Sequence, residues 1–156
     1  MDISIRKASL EDARELALLL RGIGWFEAFN SGQIDELAVR VRNHLQQCLA
    51  NESHSTLVAE DPTGVIAGYS SVHWLPYLFM SGPEGFVSEL FVSEGARGQG
   101  VGRELLRVIE SEARTRGCQR LSLTNLRDRE SYQRQFYVKA GWRERAEAAN
   151  FIYALS

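Results

Sequence analysis

The chain has 156 residues, 44% hydrophobic, with 18 Lys and Arg set against 20 Asp and Glu for a formal net charge of -2. That length and apolar content suit a single domain, 1–156, able to bury one continuous core, and the balanced charge lacks the basic footprint of a general nucleic-acid or acidic-membrane binder. Two cysteines far apart, Cys48 and Cys118, make neither a disulfide framework nor a zinc site.

"ISIRKA", Ile3 to Ala8, alternates apolar and polar residues as a half-buried strand does, and Ser9 followed three residues later by Asp12 predicts the start of a helix. Ala13, Leu16, Ala17 and Leu20 continue its apolar face until "RGIGWFEAFNSG", where Gly22, Gly24 and Gly32 predict a loop rich in aromatics. From Ile34, the series Leu37, Ala38, Val41, Leu45, Cys48 and Leu49 keeps helical spacing, leaving Arg40, Arg42 and Gln46 on a wet face. "DPTG" between two apolar runs predicts a hairpin over Ser55 to Leu75, and "GFVSELFV", Gly85 to Val92, reads as the next strand.

Val101, Leu105, Val108, Ile109 and Ala113 then trace one face of a helix with Glu110–Arg114 and Glu112–Arg116 at four-residue spacing, closed by Gly117. "RLSLTN", Arg120 to Asn125, is another strand, so strand, helix and strand predict a right-handed parallel crossover. Beyond a polar turn, Ser131 is placed to cap a short helix, "YQRQFYVKA", ended by Gly141, and "NFIYAL" is expected to form a further strand.

"LFVSEGARGQGVGRELL" sets Gly98, Gly100 and Gly102 where the strand becomes the helix. A helix amino end offers backbone NH groups without intrahelical partners and the positive end of a dipole, and glycine permits both close approach and positive φ, so successive amides can converge on a phosphate. A Walker A loop is excluded, because Gly102 is followed by Arg103 and Glu104 rather than Lys and Ser or Thr; a dinucleotide fingerprint starting at Gly98 would need Gly or Ala where Arg103 stands.

The spelling Arg97-Gly98-Gln99-Gly100-Val101-Gly102 resembles the acyl-CoA signature of the GCN5-related N-acetyltransferase family, and "FYVKAGW", Phe136 to Trp142, resembles that family's later aromatic motif. The order of elements over nearly the whole chain agrees. The resemblance implies an α/β (α+β) fold, with a mixed, mostly antiparallel sheet, a splayed parallel strand pair and flanking helices. It implies acetyl-CoA as cosubstrate and no metal.

Acetyl transfer to an amine needs a polarised thioester, a neutral nucleophile and an acid for the departing thiolate. By resemblance, Arg97 to Arg103 cradle the diphosphate, and the main chain of Leu90, Phe91 and Val92 meets the pantetheine arm and acyl oxygen. Tyr137 matches the tyrosine that protonates the CoA sulfur, and Glu89 falls where many relatives carry the base. Many relatives have Asn where this chain has Glu130, and Asn125 is the candidate to supply that amide. His73 is a second candidate base, set aside because a lone His is more often a packed or solvated side chain. Trp25, Phe26, Glu27 and Phe29, with Trp74, Tyr77 and Phe79, are candidates for the wall of an acceptor pocket.

The leading expectation is therefore an N-acetyltransferase acting on a small-molecule primary amine by direct attack in a ternary complex. Acetylation of proteins or peptides, and a noncatalytic acyl-CoA sensor, are the rivals. No nucleic-acid partner is expected, since acidic residues interrupt the arginines from Arg114 to Arg134. No run is long and apolar enough to span a membrane and "MDISIRKASLEDA" carries no apolar signal core, so a cytoplasmic location is expected, with a homodimer left open.

Overall fold

The computed structural model describes residues 2–156, which divide into two compact units, one ending at Ser122 and the other beginning at Leu123. Five strands, β1 (Ser4–Lys7), β2 (His54–Glu60), β3 (Ile66–Leu75), β4 (Glu84–Val92) and β5 (Arg120–Leu123), form one sheet in the order β1-β2-β3-β4-β5. Four pair antiparallel in sequence, and β5 joins β4 after a helical crossover, giving the mixed sheet that the sequence implied.

Helices cover both faces. On one lie α1 (Ala13–Ile23) and α3 (Ile34–Leu49), whose Leu16, Leu20 and Leu45 form a core cluster with Val58 and Tyr69 of the sheet. On the other lies α4 (Val101–Thr115), which buries Val101, Leu105, Leu106, Ile109 and Ala113 as its spacing predicts. Its exposed side is tied down by the Arg116–Glu112 pair at 3.0 Å, and Glu112 also accepts from Ser55 Oγ at 2.6 Å. Glu110 and Arg114, expected to pair likewise, form no ion pair among the described residues. The Cβ-less Gly68 allows the close approach of α4: a side chain there would meet Phe91 O at 2.9 Å and Val101 Cγ1 at 3.2 Å.

The start of α1 is held by charge. Ser9 NH donates to Asp12 at 2.7 Å, and the expected capping box forms at a 3₁₀ turn, Leu10–Asp12, that leads into α1. Arg6 of β1 grips the buried Asp12 with two hydrogen bonds, at 2.8 and 2.9 Å, and reaches Glu60 of β2 at 2.6 Å. That guanidinium holds the Asp12 carboxyl below its ordinary value of 3.8.

The aromatic segment departs from expectation. Gly22 lies inside α1, Gly24 ends the helix at φ 80°, and the supposed loop contains a short helix, α2 (Glu27–Ser31). Arg21 fixes it by donating from Nε to Phe29 O at 2.9 Å and from Nη2 to Gly32 O. Those interactions run from side chain to backbone, and periodicity carries no trace of them.

The second unit corrects four expectations. The strand ends at Leu123, not Asn125. The single helix predicted over 132–140 is two one-turn helices, α5 (Glu130–Gln133) and α6 (Phe136–Lys139), because Gln135 takes φ 58° and turns the chain between them. Ser131 therefore sits within α5 rather than capping a helix, and its Oγ accepts from Asn125 Nδ2 at 2.9 Å. "NFIYAL" forms no strand: the described residues include none after β5. A strand needs a neighbour to bond to, and apolar alternation supplies only one side of that pairing.

Candidate active site

The loop between β4 and α4 leaves a run of backbone amides open. A short 3₁₀ turn, Glu94–Ala96, leads from the strand, Gly98 and Gly100 adopt φ 74° and 86°, and Gly100 caps α4. Among the described residues the backbone NH groups of Gly98 to Arg103 have no acceptor, whereas the NH groups on either side, of Arg97 and Glu104, bond to Glu94 O and Gly100 O. Gln99 Nε2 donates to Gly95 O at 3.0 Å and Arg97 Nε to Val92 O at 3.3 Å, holding the loop from both sides. A Cβ on Gly98 or Gly100 would meet nothing within 4 Å, so these glycines answer to backbone conformation rather than to crowding inside the protein. The first turn of a fifteen-residue helix adds its dipole.

Upstream, β4 carries a bulge. Ser71 pairs with Glu89 but Val72 with Val87, leaving Ser88 as the extra residue. On the face covered by α1 and α3, cross-strand rows run Val58–Tyr69–Phe91 and then Thr56–Ser71–Glu89. Tyr69, 4% exposed, donates its hydroxyl to Glu89 Oε1 at 3.1 Å along the diagonal of the ladder. Burial pushes the Glu89 carboxyl above its ordinary value, while the Tyr69 hydrogen bond and the charge of His44 on α3 pull the other way. The same environment raises the Cys48 thiol, through burial first and the Glu89 charge second.

The aromatic candidates separate. Trp25, Phe26 and Tyr69 surround Phe91, with ring centroids 5.7, 5.6 and 5.8 Å away, and Phe29 packs on Phe26 at 6.4 Å. Their neighbour Glu27 is exposed. Trp74 belongs to the opposite face, where its Nε1 donates to Ser55 Oγ at 2.9 Å beneath the Arg116 guanidinium. Tyr77 stacks against Phe79 at 5.6 Å beyond the far end of β3, about 20 Å along the strand from Tyr69 at ~3.3 Å per residue. The structure thus brings Trp25, Phe26, Phe29 and Phe91 together near Glu89 and leaves Trp74 and Tyr77 elsewhere. His73 bonds Ser88 Oγ through Nε2 at 2.8 Å and stacks on His54, ring centroids 4.4 Å apart.

Sequence reasoning missed Tyr69 as the partner of Glu89. The signal lies in the register of β3 against β4, bulge included, which the alternation of either strand alone does not contain.

In the second unit, Tyr137 packs edge-on to Phe136 at 4.9 Å and Trp142 at 5.9 Å, and burial pushes its phenol up to about 12. Asn125 is engaged with Ser131, and Arg127 and Tyr132 both hold Glu144 at 3.0 Å.

The sheet is mixed and helix-covered, an α/β fold, and an open amide run at a strand-to-helix turn is a place where an anion can bind. The family model of the GNAT acetyltransferases matches residues 20–142, and the chain belongs to that family. An acetyltransferase of Agrobacterium fabrum is 33% identical over 81 residues, so the match spans about half of each protein, 51% of this chain and 52% of that one. The fold is shared with a transcriptional regulator from Bacillus halodurans, TM-score 0.82 at 22% identity over 97% of this chain and 100% of that one. An aminoglycoside acetyltransferase from an uncultured soil metagenomic sample, solved with trehalose, has TM-score 0.78 at 18% identity over 99% of this chain and 97% of that one. The family uses acetyl-CoA as its cosubstrate. No helix here is long and apolar enough to cross a membrane among the described residues.

Proposed function

We propose that residues 1–156 act as one N-acetyltransferase domain that moves the acetyl group of acetyl-CoA to a primary amine of a small molecule, by direct attack in a ternary complex. The observation that carries the proposal is the run of acceptor-free amides from Gly98 to Arg103 at a glycine-turned helix start, in the spelling of the family's cradle. Those amides, with the Arg97 and Arg103 side chains, hold the diphosphate. The main chain of Leu90, Phe91 and Val92 faces the pantetheine arm and acyl oxygen, and Asn125 is the amide that the family resemblance offers.

Glu89 takes a proton from the acceptor ammonium or its attacking nitrogen. A carboxylate whose affinity for protons is raised by burial is a better base near neutral pH than an exposed one. The nitrogen bonds to the acyl carbon, the carbon–sulfur bond breaks, and the sulfur takes the Tyr137 proton. A phenol titrating at about 12 keeps that proton at neutral pH, so Tyr137 is in its acid form when the sulfur leaves.

The acceptor reading rests on the aromatic group around Phe91. An apolar wall of Trp25, Phe26 and Phe29 two residues along the strand from a carboxylate favours a compact amine with apolar or aromatic character, and Glu27 adds negative charge nearby.

The test is an amine panel that follows CoA release, run with small aromatic and aliphatic amines, aminoglycosides, and peptides with free amino termini or lysines. Turnover confined to small amines, and reduced strongly by Tyr137→Phe, supports the proposal. Turnover confined to peptides overturns the acceptor assignment, and tight acetyl-CoA binding with no turnover would make the domain a sensor.

A further inference from the structure

His54 of β2 and His73 of β3 stand directly opposite each other in the ladder. Trp74 NH donates to Ser53 O at 2.9 Å, which makes the adjoining His54–His73 pair one of the non-hydrogen-bonded kind, where side chains come closest. Their ring centroids lie 4.4 Å apart with the planes inclined at 63°, and both residues are half-buried.

Each ring has one nitrogen engaged and one left over. His73 Nε2 meets Ser88 Oγ at 2.8 Å; when it donates there, and Ser88 passes its own proton to Ser71 O at 3.4 Å, His73 Nδ1 carries the lone pair. His54 Nδ1 meets Ser53 Oγ at 2.7 Å, which leaves Nε2. A hydrogen-bond partner on the far nitrogen is what fixes the tautomer and orientation of a metal-binding imidazole. Burial, and then the charge of His54, hold the His73 ring below its ordinary value of 6.5, in the neutral form that a metal requires.

The spacing favours one geometry. Two imidazoles at a right angle on one ion, with metal–nitrogen bonds of about 2.0–2.1 Å, hold their ring centroids roughly 4.5 Å apart, and a tetrahedral angle opens that to roughly 5 Å. The observed 4.4 Å matches the right angle, the preference of copper(II) and nickel(II) rather than zinc(II). No third His, Cys, Asp or Glu joins the pair among the described residues, so water completes the coordination.

We infer that His54 and His73 form a bidentate site for one tetragonal divalent ion, copper(II) or nickel(II), bound through His54 Nε2 and His73 Nδ1 so that it clips β2 to β3. The site has no part in the acetyl transfer proposed above and does not depend on it.

Nickel(II) titrated into the untagged full chain, followed in the proton NMR of its three histidines, tests this without any catalysis. The pair is recognised by cross-relaxation between its two rings. Their resonances should broaden together as the first equivalent is added, while those of His44 stay sharp. His54→Gln and His73→Gln should each weaken nickel by about tenfold or more, and the denaturation midpoint that nickel raises in the parent should not move in either. Zinc(II), which favours the wider angle, should bind the parent more weakly than nickel. The parent spectrum decides the matter if a variant does not fold. Broadening of all three histidines alike, no broadening at several equivalents of nickel, tighter binding of zinc, or a variant that binds as the parent does overturns the inference.

Discussion

Replacing Tyr69 by Phe removes one hydroxyl and leaves the ring that packs 5.8 Å from Phe91 in place, which makes it a narrow probe of Glu89. The lost hydrogen bond, 3.1 Å from Tyr69 OH to Glu89 Oε1, stabilises the ionised carboxylate. A hydrogen bond to a charged group contributes about 1.5–3 kcal/mol. Glu89 is half-buried, so water replaces part of it, and a net loss near ~1.4 kcal/mol corresponds to about one pH unit. The sign follows from the role: the base works ionised, kcat/KM rises with pH as Glu89 loses its proton, and losing a stabilising donor raises the pH at which that happens. The acid limb of the kcat/KM profile should therefore move about one pH unit toward alkaline. One acceptor amine is used for both proteins, so its own titration cancels, and the plateau at high pH should stay within a few-fold of the parent. An acid limb that stays in place, with activity lowered equally at every pH, would show that Glu89 is not the titrating base.

Gly100→Ala forces an L side chain to φ 86°, at a cost of about 1–2 kcal/mol although the space is open. Relaxing that strain turns the amides of the loop, so the variant should raise KM for acetyl-CoA at least tenfold while the melting temperature falls only slightly. Tyr137→Phe should lower kcat by about 10²-fold, the scale of a lost general acid, with little change in acetyl-CoA affinity by calorimetry. Asp12→Asn should cost about 1–3 kcal/mol at neutral pH by denaturant titration, because Arg6 loses its buried partner. Since the Asp12 carboxyl titrates below its ordinary 3.8 in the folded chain, its contribution is fully present above that value and fades as the pH falls through the lower one. The gap between parent and variant should close under acid.

What the sequence disclosed follows from where its information is local. Val101, Leu105, Ile109 and Ala113 repeat at helical period and are buried where that period puts them, and Gly24, Gly64 and Gly117 mark chain reversals at positive φ. The turn into α4 is legible for the same reason, since glycines at 98 and 100 announce left-handed backbone without any tertiary knowledge. The partner of Glu89 was not legible, because it depends on a bulge at Ser88 that shifts one strand against another. Likewise Trp74 and the Phe91 group read as one aromatic set in the sequence, and only the sheet's two faces divide them. Gln135, a residue with no turn signature, splits the stretch that a Ser131 cap and a closing Gly141 predict as one helix. "NFIYAL" announced a strand, but a strand's partner is not written in its own letters.

The claim on which the rest depends is that the amides from Gly98 to Arg103 receive a diphosphate. Amide chemical shifts of the labelled protein, followed as coenzyme A and then pantetheine alone are added, test it directly. Coenzyme A should shift the NH resonances of Gly98, Gly100, Val101 and Gly102 strongly downfield, and pantetheine, which lacks the diphosphate, should leave them in place. Binding of coenzyme A with those resonances unmoved would contradict it.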